Sequence, residues 1–353
     1  MNNLDKLRLL GVVKNKVFIG PQTVAFHITN VCNLKCIYCW FHSPFNNNKN
    51  ERKIELDFEA FKRVMDDCYK LKVNWIQLSA EGEPTLHSRI IDMINYVKEK
   101  KLLLRLLTNG TFNKEILKFS SRIDQICINL SASNSDKYTA LQSQGNQNIF
   151  NKVVGNISSI TALKKKSKTP HIRIGFMLNS QNYNELPHMF KLAFKLNVNE
   201  LNITMASLER HNRCIELKMD KKINEIFKQI MKEKYFLKVK SNILNNYKLY
   251  KSFLLPQNIG GAKACYNGWY YTFINWNGDV TPCCSIKERL IAGNIYNSSF
   301  KKVWLSDTFS KIRISGKNTL YHRRFATCSH CCFYNLNNKI YDKLRLYKTK
   351  DAS

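Results

Sequence analysis

The chain has 353 residues, 44% of them hydrophobic, and its 56 Lys and Arg against 26 Asp and Glu give a formal net charge of +30. This composition excludes a disordered chain, and the length suits one large α/β domain with a smaller second domain. Because no signal peptide and no run of about 18 uncharged apolar residues is present, we expect a cytoplasmic protein without a membrane span.

The first two thirds of the chain alternate between short β-rich segments and helical patterns. The predicted strands are 24–29, 74–79, 102–107, 125–130, 172–178 and 200–204. The predicted helices are 57–71, 88–100, 114–120, 135–141, 149–165 and 184–196. Six successive βα units predict a parallel sheet, because each return needs a crossover helix. The fold class is therefore α/β, as a partial (β/α)6 TIM-type barrel that binds ligands at the C-terminal ends of its strands.

Three cysteines directly follow the first predicted strand, in the segment Cys32-Asn-Leu-Lys-Cys36-Ile-Tyr-Cys39. Three thiolates can hold three irons of a 4Fe-4S cluster and leave the fourth iron open to a substrate or cofactor. The alternative is a zinc site with His42 as the fourth ligand.

The pattern C-x3-C-x-aromatic-C, with Tyr38 as the aromatic residue, resembles the radical S-adenosylmethionine (SAM) superfamily. Further segments up to about residue 205 resemble the SAM-binding motifs of this family, in the same order. The residues implied in SAM binding are Tyr38, Glu81, Gly82, Glu83, Pro84, Thr108, Asn109, Ser131, Ser133, Gly175 and Asn202. The segment Glu81 to Pro84 departs from the family's G-G-E-P at its first position, where Glu81 replaces Gly.

This resemblance implies that S-adenosyl-L-methionine chelates the open iron of the 4Fe-4S cluster and is cleaved reductively to a 5'-deoxyadenosyl radical. That radical would abstract a hydrogen atom from a substrate C–H bond. The chemistry requires an electron donor such as flavodoxin or ferredoxin.

The alternation of β-rich segments and helical patterns ends at about residue 215. We expect a radical SAM core at 1–215, linker helices at 216–260 and an auxiliary cluster domain with a basic tail at 261–353. Asn277-Gly278 predicts a hairpin between 271–276 and 280–282. Residues 311–353 carry ten Lys or Arg against two Asp, so this part attracts acidic or phosphorylated partners, unless the excess of Lys only reflects codon bias.

Twelve cysteines in a chain without a secretion signal favour metal binding over disulfides. Besides the first group, six lie near the C-terminus: Cys265, Cys283, Cys284, Cys328, Cys331 and Cys332. The remaining three, Cys68, Cys127 and Cys214, are expected to be small core residues.

The spacing Cys265-x12-Gly278-x4-Cys283 followed by Cys328-x2-Cys331 resembles the reduced SPASM or twitch domain of radical SAM enzymes. It implies one auxiliary 4Fe-4S cluster held by four thiolates, with Cys284 and Cys332 as further candidates. A structural zinc is the alternative. A cluster with four protein ligands has no open iron, so we expect it to transfer electrons in a net oxidation.

Two substrate classes follow from this layout. The main expectation is the oxidation or epimerisation of a polar metabolite such as a sugar, aminocyclitol or nucleotide-linked sugar, because about 22 residues precede the first strand, too few for a leader-binding domain. The alternative is a peptide or protein maturase that crosslinks or oxidises side chains. A non-catalytic, metal-stabilised RNA-binding protein would leave the SAM-type loops without a purpose. Candidate proton acceptors or substrate anchors, expected near strand ends, are Arg105, Arg173, Glu209 and His211.

Overall fold

A computed structural model describes residues 2–45, 52–164, 169–205, 221–233, 235–243, 263–284, 290–318, 328, 331 and 333–350. Ten strands in these residues form one sheet, in the order β10-β9-β8-β1-β2-β3-β4-β5-β6-β7. The strands are β1 (Thr23–His27), β2 (Trp75–Ser79), β3 (Leu103–Thr108), β4 (Gln125–Asn129), β5 (His171–Leu178), β6 (Glu200–Met205), β7 (Lys240–Ser241), β8 (Tyr271–Ile274), β9 (Asp279–Thr281) and β10 (Gly293–Asn294). In the described part of the chain β7 and β10 are the two edges of the sheet, which is therefore open.

Twelve α-helices lie in the described residues and flank or extend this sheet. They are α1 (Asn3–Lys14), α2 (Phe58–Lys70), α3 (Ile90–Glu99), α4 (Lys114–Phe119), α5 (Ser135–Tyr138), α6 (Asn148–Lys164), α7 (Leu186–Lys195), α8 (Lys221–Lys232), α9 (Asn267–Tyr270), α10 (Phe300–Leu305), α11 (Asp307–Gly316) and α12 (Tyr334–Lys350). Of these helices, none combines the length and the apolar character that a membrane crossing needs.

The predicted α/β class is confirmed, since β1 to β7 pair in parallel in chain order. All six predicted strands are present, each shifted by at most two residues at either end. Local signals explain why the helices begin where they do: the Asp57 side chain, for example, accepts a hydrogen bond from Ala60 N at 2.7 Å and caps α2.

The two faces of the sheet have different surroundings. Along β5 partly exposed and buried residues alternate strictly, which is the signature of a strand with one packed face. The buried residues join the main hydrophobic core with the helices. We call the other face the concave face, because a parallel sheet whose helices pack on one side curves around the opposite side. Tyr271 on β8 interacts across this face with Arg105, three strands away on β3. The concave face is therefore the space in which a ligand can be enclosed.

The C-terminal residues extend the same sheet. The predicted hairpin is present as β8 and β9, with Gly278 at φ +84° in its turn. The sequence did not predict that β8 pairs in parallel with β1, with Ala25 opposite Phe273. Trp304 of α10 also donates from Nε1 to Ile19 O at 3.2 Å. The expected division at 215 and 261 stays a prediction, but the sheet runs continuously across it.

Helix α1 was not predicted from the sequence. Its first turn is capped by Asn2, whose side chain accepts a hydrogen bond from Asp5 N at 2.8 Å. Arg8 is buried and donates to the carbonyl oxygens of Gly20, Pro21 and Lys72 at 3.0 to 3.2 Å. These bonds fasten α1 to the segment that leads into β1.

Candidate functional site

The three N-terminal cysteines lie in the loop that follows β1, at the C-terminal edge of the parallel sheet. Ile37 N donates to Leu141 O at 3.0 Å, which anchors this cysteine loop on the segment after β4. Cys36 packs in the same small cluster as Met177, near the end of β5. The loop therefore covers one end of the concave face.

Backbone amides surround the sulfur atoms of this loop. Leu34 N donates to Cys32 Sγ at 3.4 Å, and His42 N donates to Cys39 Sγ at 3.2 Å. Burial raises the pKa of Cys32 to about 12 and also raises the pKa of Cys36 and Cys39. At neutral pH such thiols keep their protons unless a metal replaces them.

The donor set fits an iron-sulfur cluster better than a single zinc ion. Among the described residues, no group of three or more His, Cys, Asp or Glu side chains is arranged to hold one metal ion. A cluster does not need that convergence, because it takes each sulfur on a different iron. His42, the proposed fourth zinc ligand, has its Nε2 hydrogen bonded to Asn30 O at 2.9 Å. The three cysteines therefore fit the cluster that the resemblance implies.

The loop after β2 lies directly against the cysteine loop. Gly82 N donates to Thr29 O at 3.3 Å and Glu83 N donates to Val31 O at 2.7 Å. A Cβ atom on Gly82 would lie 1.8 Å from Val31 O, so only glycine permits this approach. This close backbone contact fixes the position of the chain that leads into Cys32.

Glu83 joins the loops after β2 and β3. Its buried carboxylate accepts hydrogen bonds from Thr108 Oγ1 and Asn109 N, both at 2.6 Å, and from Thr85 Oγ1 at 2.7 Å. Burial raises the pKa of Glu83, while these hydrogen bonds lower it. Glu83 and Thr108 therefore hold the two loops together, and their roles toward SAM stay predictions; Asn109 is the partly exposed member of the turn. Pro84 is buried at the start of the 3-10 helix Pro84–Leu86.

The loops after β4 and β5 are also held by polar side chains that the motif comparison implied in SAM binding. Ser131 is fully buried, and its Oγ accepts hydrogen bonds from Tyr38 Oη and from Met177 N, both at 3.0 Å. The hydroxyl of Ser133 donates to Glu185. These contacts position the loop backbone, and the roles of the three side chains toward SAM stay predictions.

Two further residues with an implied SAM contact, Gly175 and Asn202, lie side by side in the sheet at partly exposed positions. A Cβ atom on Gly175 would lie 3.1 Å from Asn129 Oδ1, so a side chain there would crowd the neighbouring strand. Asn202 Nδ2 donates to Thr204 Oγ1 at 3.3 Å.

Sequence reasoning missed a contact between the loop after β2 and the C-terminal hairpin. Trp276 donates from Nε1 to Glu81 Oε2 at 2.9 Å, and Glu81 Oε1 lies 3.8 Å from His27 Nδ1. The His27 ring meets Phe273 of β8 edge-on, with centroids 4.4 Å apart. The signal was the replacement of the family's Gly by Glu81, because a buried carboxylate requires a polar partner.

The C-terminal cysteines form a second group. Burial raises the pKa of Cys265 to about 12 and that of Cys331 to about 11. Neighbouring thiols raise the two values further: Cys328 acts on both, and Cys284 acts on Cys331. Cys331 thus lies within electrostatic range of the other three thiols, an arrangement that fits a cluster with four protein ligands.

The spacing of the sequence had selected Cys283, not Cys284. In the structure Cys283 is buried and its carbonyl oxygen accepts a hydrogen bond from Thr281 Oγ1 at 3.1 Å, whereas Cys284 is partly exposed and near Cys331. Cys332 lies outside the described residues.

The other candidates are distributed differently. Arg105 and Arg173 are the third residues of β3 and β5, near the N-terminal ends of these strands, and Glu209 and His211 lie outside the described residues. Among the isolated cysteines, Cys68 is a buried core residue as predicted, Cys127 is partly exposed on β4, and Cys214 is not among the described residues.

Two family models match the chain. Residues 26–193 match the radical SAM superfamily and residues 265–332 match the SPASM iron-sulfur cluster-binding domain. The two matches cover the two cysteine groups.

Curated relatives align with most of this chain. The "tungsten-containing aldehyde ferredoxin oxidoreductase cofactor-modifying protein" of Pyrococcus furiosus is 24% identical, over 86% of this chain and 85% of the relative. The "antilisterial bacteriocin subtilosin biosynthesis protein AlbA" of Bacillus subtilis is 22% identical, over 84% of this chain and 62% of AlbA. The "mycofactocin maturase MftC" of Mycolicibacterium smegmatis is 23% identical, over 83% of this chain and 73% of MftC.

Solved structures share the fold. Streptococcus suis SuiB bound to the precursor peptide SuiA superposes with a TM-score of 0.64 at 15% identity, over 87% of this chain and 70% of SuiB. The enzyme anSMEcpe with bound AdoMet gives a TM-score of 0.63 at 18% identity, over 90% of this chain and 89% of anSMEcpe.

Proposed function

Because the chain belongs to the radical SAM superfamily and carries a SPASM domain, we propose that it is an oxidoreductase that modifies a side chain of a peptide or protein. Its cofactors are the radical SAM 4Fe-4S cluster, S-adenosylmethionine and an auxiliary iron-sulfur centre in the SPASM domain. When bound, these groups supply a radical that removes a hydrogen atom from the substrate, and an acceptor for the electron left behind.

The relatives favour a peptide or protein over the polar metabolite that the sequence led us to expect. Two of the three relatives are named for the biosynthesis of a bacteriocin and for a maturase, and none of the three for a sugar. The expectation of a metabolite did not rest on any residue of the catalytic face. The peptide alternative is therefore our proposal.

Specific side chains are suited to hold the cofactors. Cys32, Cys36 and Cys39 would ligate the cluster beside β1, and the backbone amides at their sulfur atoms would stabilise the thiolate charge. Cys265, Cys328 and Cys331 would ligate the auxiliary cluster with Cys284 or Cys283 as the fourth ligand. The loops fastened by Glu83 and Ser131 would keep these positions rigid.

One observation carries the oxidative proposal: both cysteine groups border the same concave face. Cys36 packs with Met177 at one end of β5. Cys284 packs against Ala25, Tyr271 and Phe273, where β1 meets β8. A substrate on this face would lie beside both groups, so that a hydrogen atom could leave the residue first and an electron and a proton could follow, which completes a two-electron oxidation.

The proposal is tested by deuterium transfer. The enzyme is reconstituted anaerobically with iron and sulfide, reduced, and incubated with SAM and fractions of a fully deuterated cell extract. We expect deuterium in 5'-deoxyadenosine with the peptide and protein fraction. Transfer from the small-metabolite fraction alone would refute the peptide substrate and restore the metabolite.

A variant with Cys32, Cys36 and Cys39 replaced by Ala is the control. It should form no 5'-deoxyadenosine yet retain about four irons at the C-terminal site. If the intact enzyme also forms none, the catalytic proposal itself fails.

A further inference from the structure

Two arginines lie on the concave face of the sheet. Arg105 on β3 stands between Gln77 and Gln125 on the neighbouring strands. Arg173 on β5 stands between Cys127 on β4 and Glu200 on β6. The strand neighbours of both arginines point the other way and are buried in the main core: Leu104, Leu106, Ile172 and Ile174.

Arg105 is held in place by neutral partners. Its Nε donates to Gln125, its Nη1 donates to Gln77 Oε1 at 3.3 Å, and its guanidinium lies 5.0 Å from the ring centroid of Trp75. In the part of the chain that the structure describes, it forms no ion pair. Its charge is therefore oriented but not neutralised.

Arg173 forms an ion pair with the carboxylate of Glu200 on the same face. Its Nη2 lies 2.9 Å from Glu200 Oε2, while its buried Nε has no hydrogen-bond partner among the described residues. The two arginines project from the same face of the sheet, with only β4 between their strands. Burial lowers the pKa of Arg105 most, and the charge of Arg173 lowers it further. Two cations next to one carboxylate leave an excess positive charge in a partly enclosed space, which an anion would relieve.

We infer that Arg105 and Arg173 bind a carboxylate of the substrate, supplied by an Asp or Glu side chain of the peptide. The guanidinium fork matches a carboxylate in geometry as well as in charge. The formal charge of +30 favours the approach of an acidic segment. This inference rests on the proposed function for the identity of the ligand, and it adds that the peptide is acidic near the modified residue.

The strand geometry gives the depth of Arg173 below the cysteine loop. Arg173 is four residues before Met177 on β5, and Met177 packs with Cys36. At a rise of about 3.3 Å per residue, the arginine lies about 13 Å below the cysteine loop. That distance corresponds to about four residues of extended peptide, so we place the acidic residue within about four positions of the modified one.

Cys127 gives a local probe that needs no substrate turnover, because the residue is half-buried and its sulfur interacts with both arginines, although burial raises the pKa of its thiol. The cluster-reconstituted enzyme without SAM is alkylated in parallel with anionic iodoacetate and neutral iodoacetamide, and Cys127 is quantified by peptide mass spectrometry. We expect the rate ratio of iodoacetate to iodoacetamide at Cys127 to exceed the ratio in the denatured chain by about tenfold.

Variants assign this preference to the arginines. Arg105→Gln and Arg173→Gln should bring the ratio close to the denatured value, and Arg173→Lys should keep most of it. Arg122→Gln is the matched control, because Arg122 is exposed and bonded to Asn95 outside this face. Cys68, which is fully buried, should stay unreactive in every variant that folds.

Competition then identifies the anion. N-acetylglutamate N-methylamide should protect Cys127 from iodoacetamide, and the matching glutamine derivative should not. A ratio that is unchanged in both Gln variants would overturn the site. Protection by inorganic phosphate but not by the glutamate derivative would overturn the peptide carboxylate. Since neither measurement involves turnover, both outcomes are independent of the deuterium-transfer result.

Discussion

Gly82→Ala tests whether the loop after β2 positions the cysteine loop. The added Cβ would lie 1.8 Å from Val31 O and 2.2 Å from Val31 C, and ordinary contact begins at 3.4 Å. One of the two backbones must therefore move by about 1.6 Å. Hydrogen bonds from Gly82 N to Thr29 O and from Glu83 N to Val31 O hold the two segments together. We therefore expect the free energy of unfolding to fall by about 3 kcal/mol, the upper end for overpacked sites.

Gly155→Ala is the matched control with the opposite expected sign. Gly155 is exposed in α6, and a Cβ there would meet nothing within 4 Å. Alanine should stabilise that helix by about 0.5–1 kcal/mol. Chemical denaturation of the two variants and of the parent chain, under anaerobic conditions, measures both values.

Iron analysis separates the local effect from a general loss of stability. Because the displaced segment leads into Cys32, folded Gly82→Ala should lose most of the about four irons of the first cluster and keep those of the second. If Gly82→Ala unfolds with the parent's midpoint and binds the parent's iron, the close backbone contact does not support the cysteine loop.

Two further predictions concern a ligand and a titration. Cys284→Ser should lose about four irons after reconstitution while Cys283→Ser keeps them, because Cys284 is partly exposed and within electrostatic range of Cys331, whereas Cys283 is buried. The reverse result would support the assignment from sequence spacing. Burial lowers the pKa of His87 below 6.5. Its neutral ring donates a hydrogen bond to Leu56 O and accepts one from Arg89 N. The free energy of unfolding should therefore decrease as the pH falls below about 6.5, by at most about 1.4 kcal/mol per pH unit. Denaturation midpoints at pH 7.5 and 5.5 should show a smaller loss for His87→Gln than for the parent, and an equal loss would exclude His87 as the cause.

The parallel strands could be predicted from sequence because their signals are local. Each strand shows apolar residues at the positions that pack on helices, as along His171–Leu178, and each is followed by an amphipathic helix. The cysteine loop and the turns after β2 to β4 follow these strands at fixed distances, so their common location followed from the topology.

The pairing of β8 with β1 had no such signal. The residues Tyr271–Ile274 suit any buried strand, and their partner lies about 250 positions earlier in the chain. The side on which a cysteine lies was equally hidden, because consecutive residues of an extended chain point in opposite directions. Spacing alone could therefore not distinguish Cys283 from Cys284.

Motif comparison also did not show which side chains support the loops. Ser131 and Glu83 match positions implied in SAM binding, yet Ser131 is fully buried and Glu83 is 1% exposed. Their hydrogen bonds run to Tyr38, Thr108 and neighbouring backbone, which are contacts that only the folded loops bring together.

The Glu at position 81 is explained by the same geometry. The tight backbone approach to Val31 is made at Gly82, so position 81 can carry a side chain without disturbing it. The Glu81 carboxylate is buried, and an ionised group there is costly unless it is hydrogen bonded. Trp276 supplies that bond from the hairpin turn whose strand β9 leads to Cys283 and Cys284. The departure from the family motif therefore links the loop beside the first cysteine group to the hairpin beside the second.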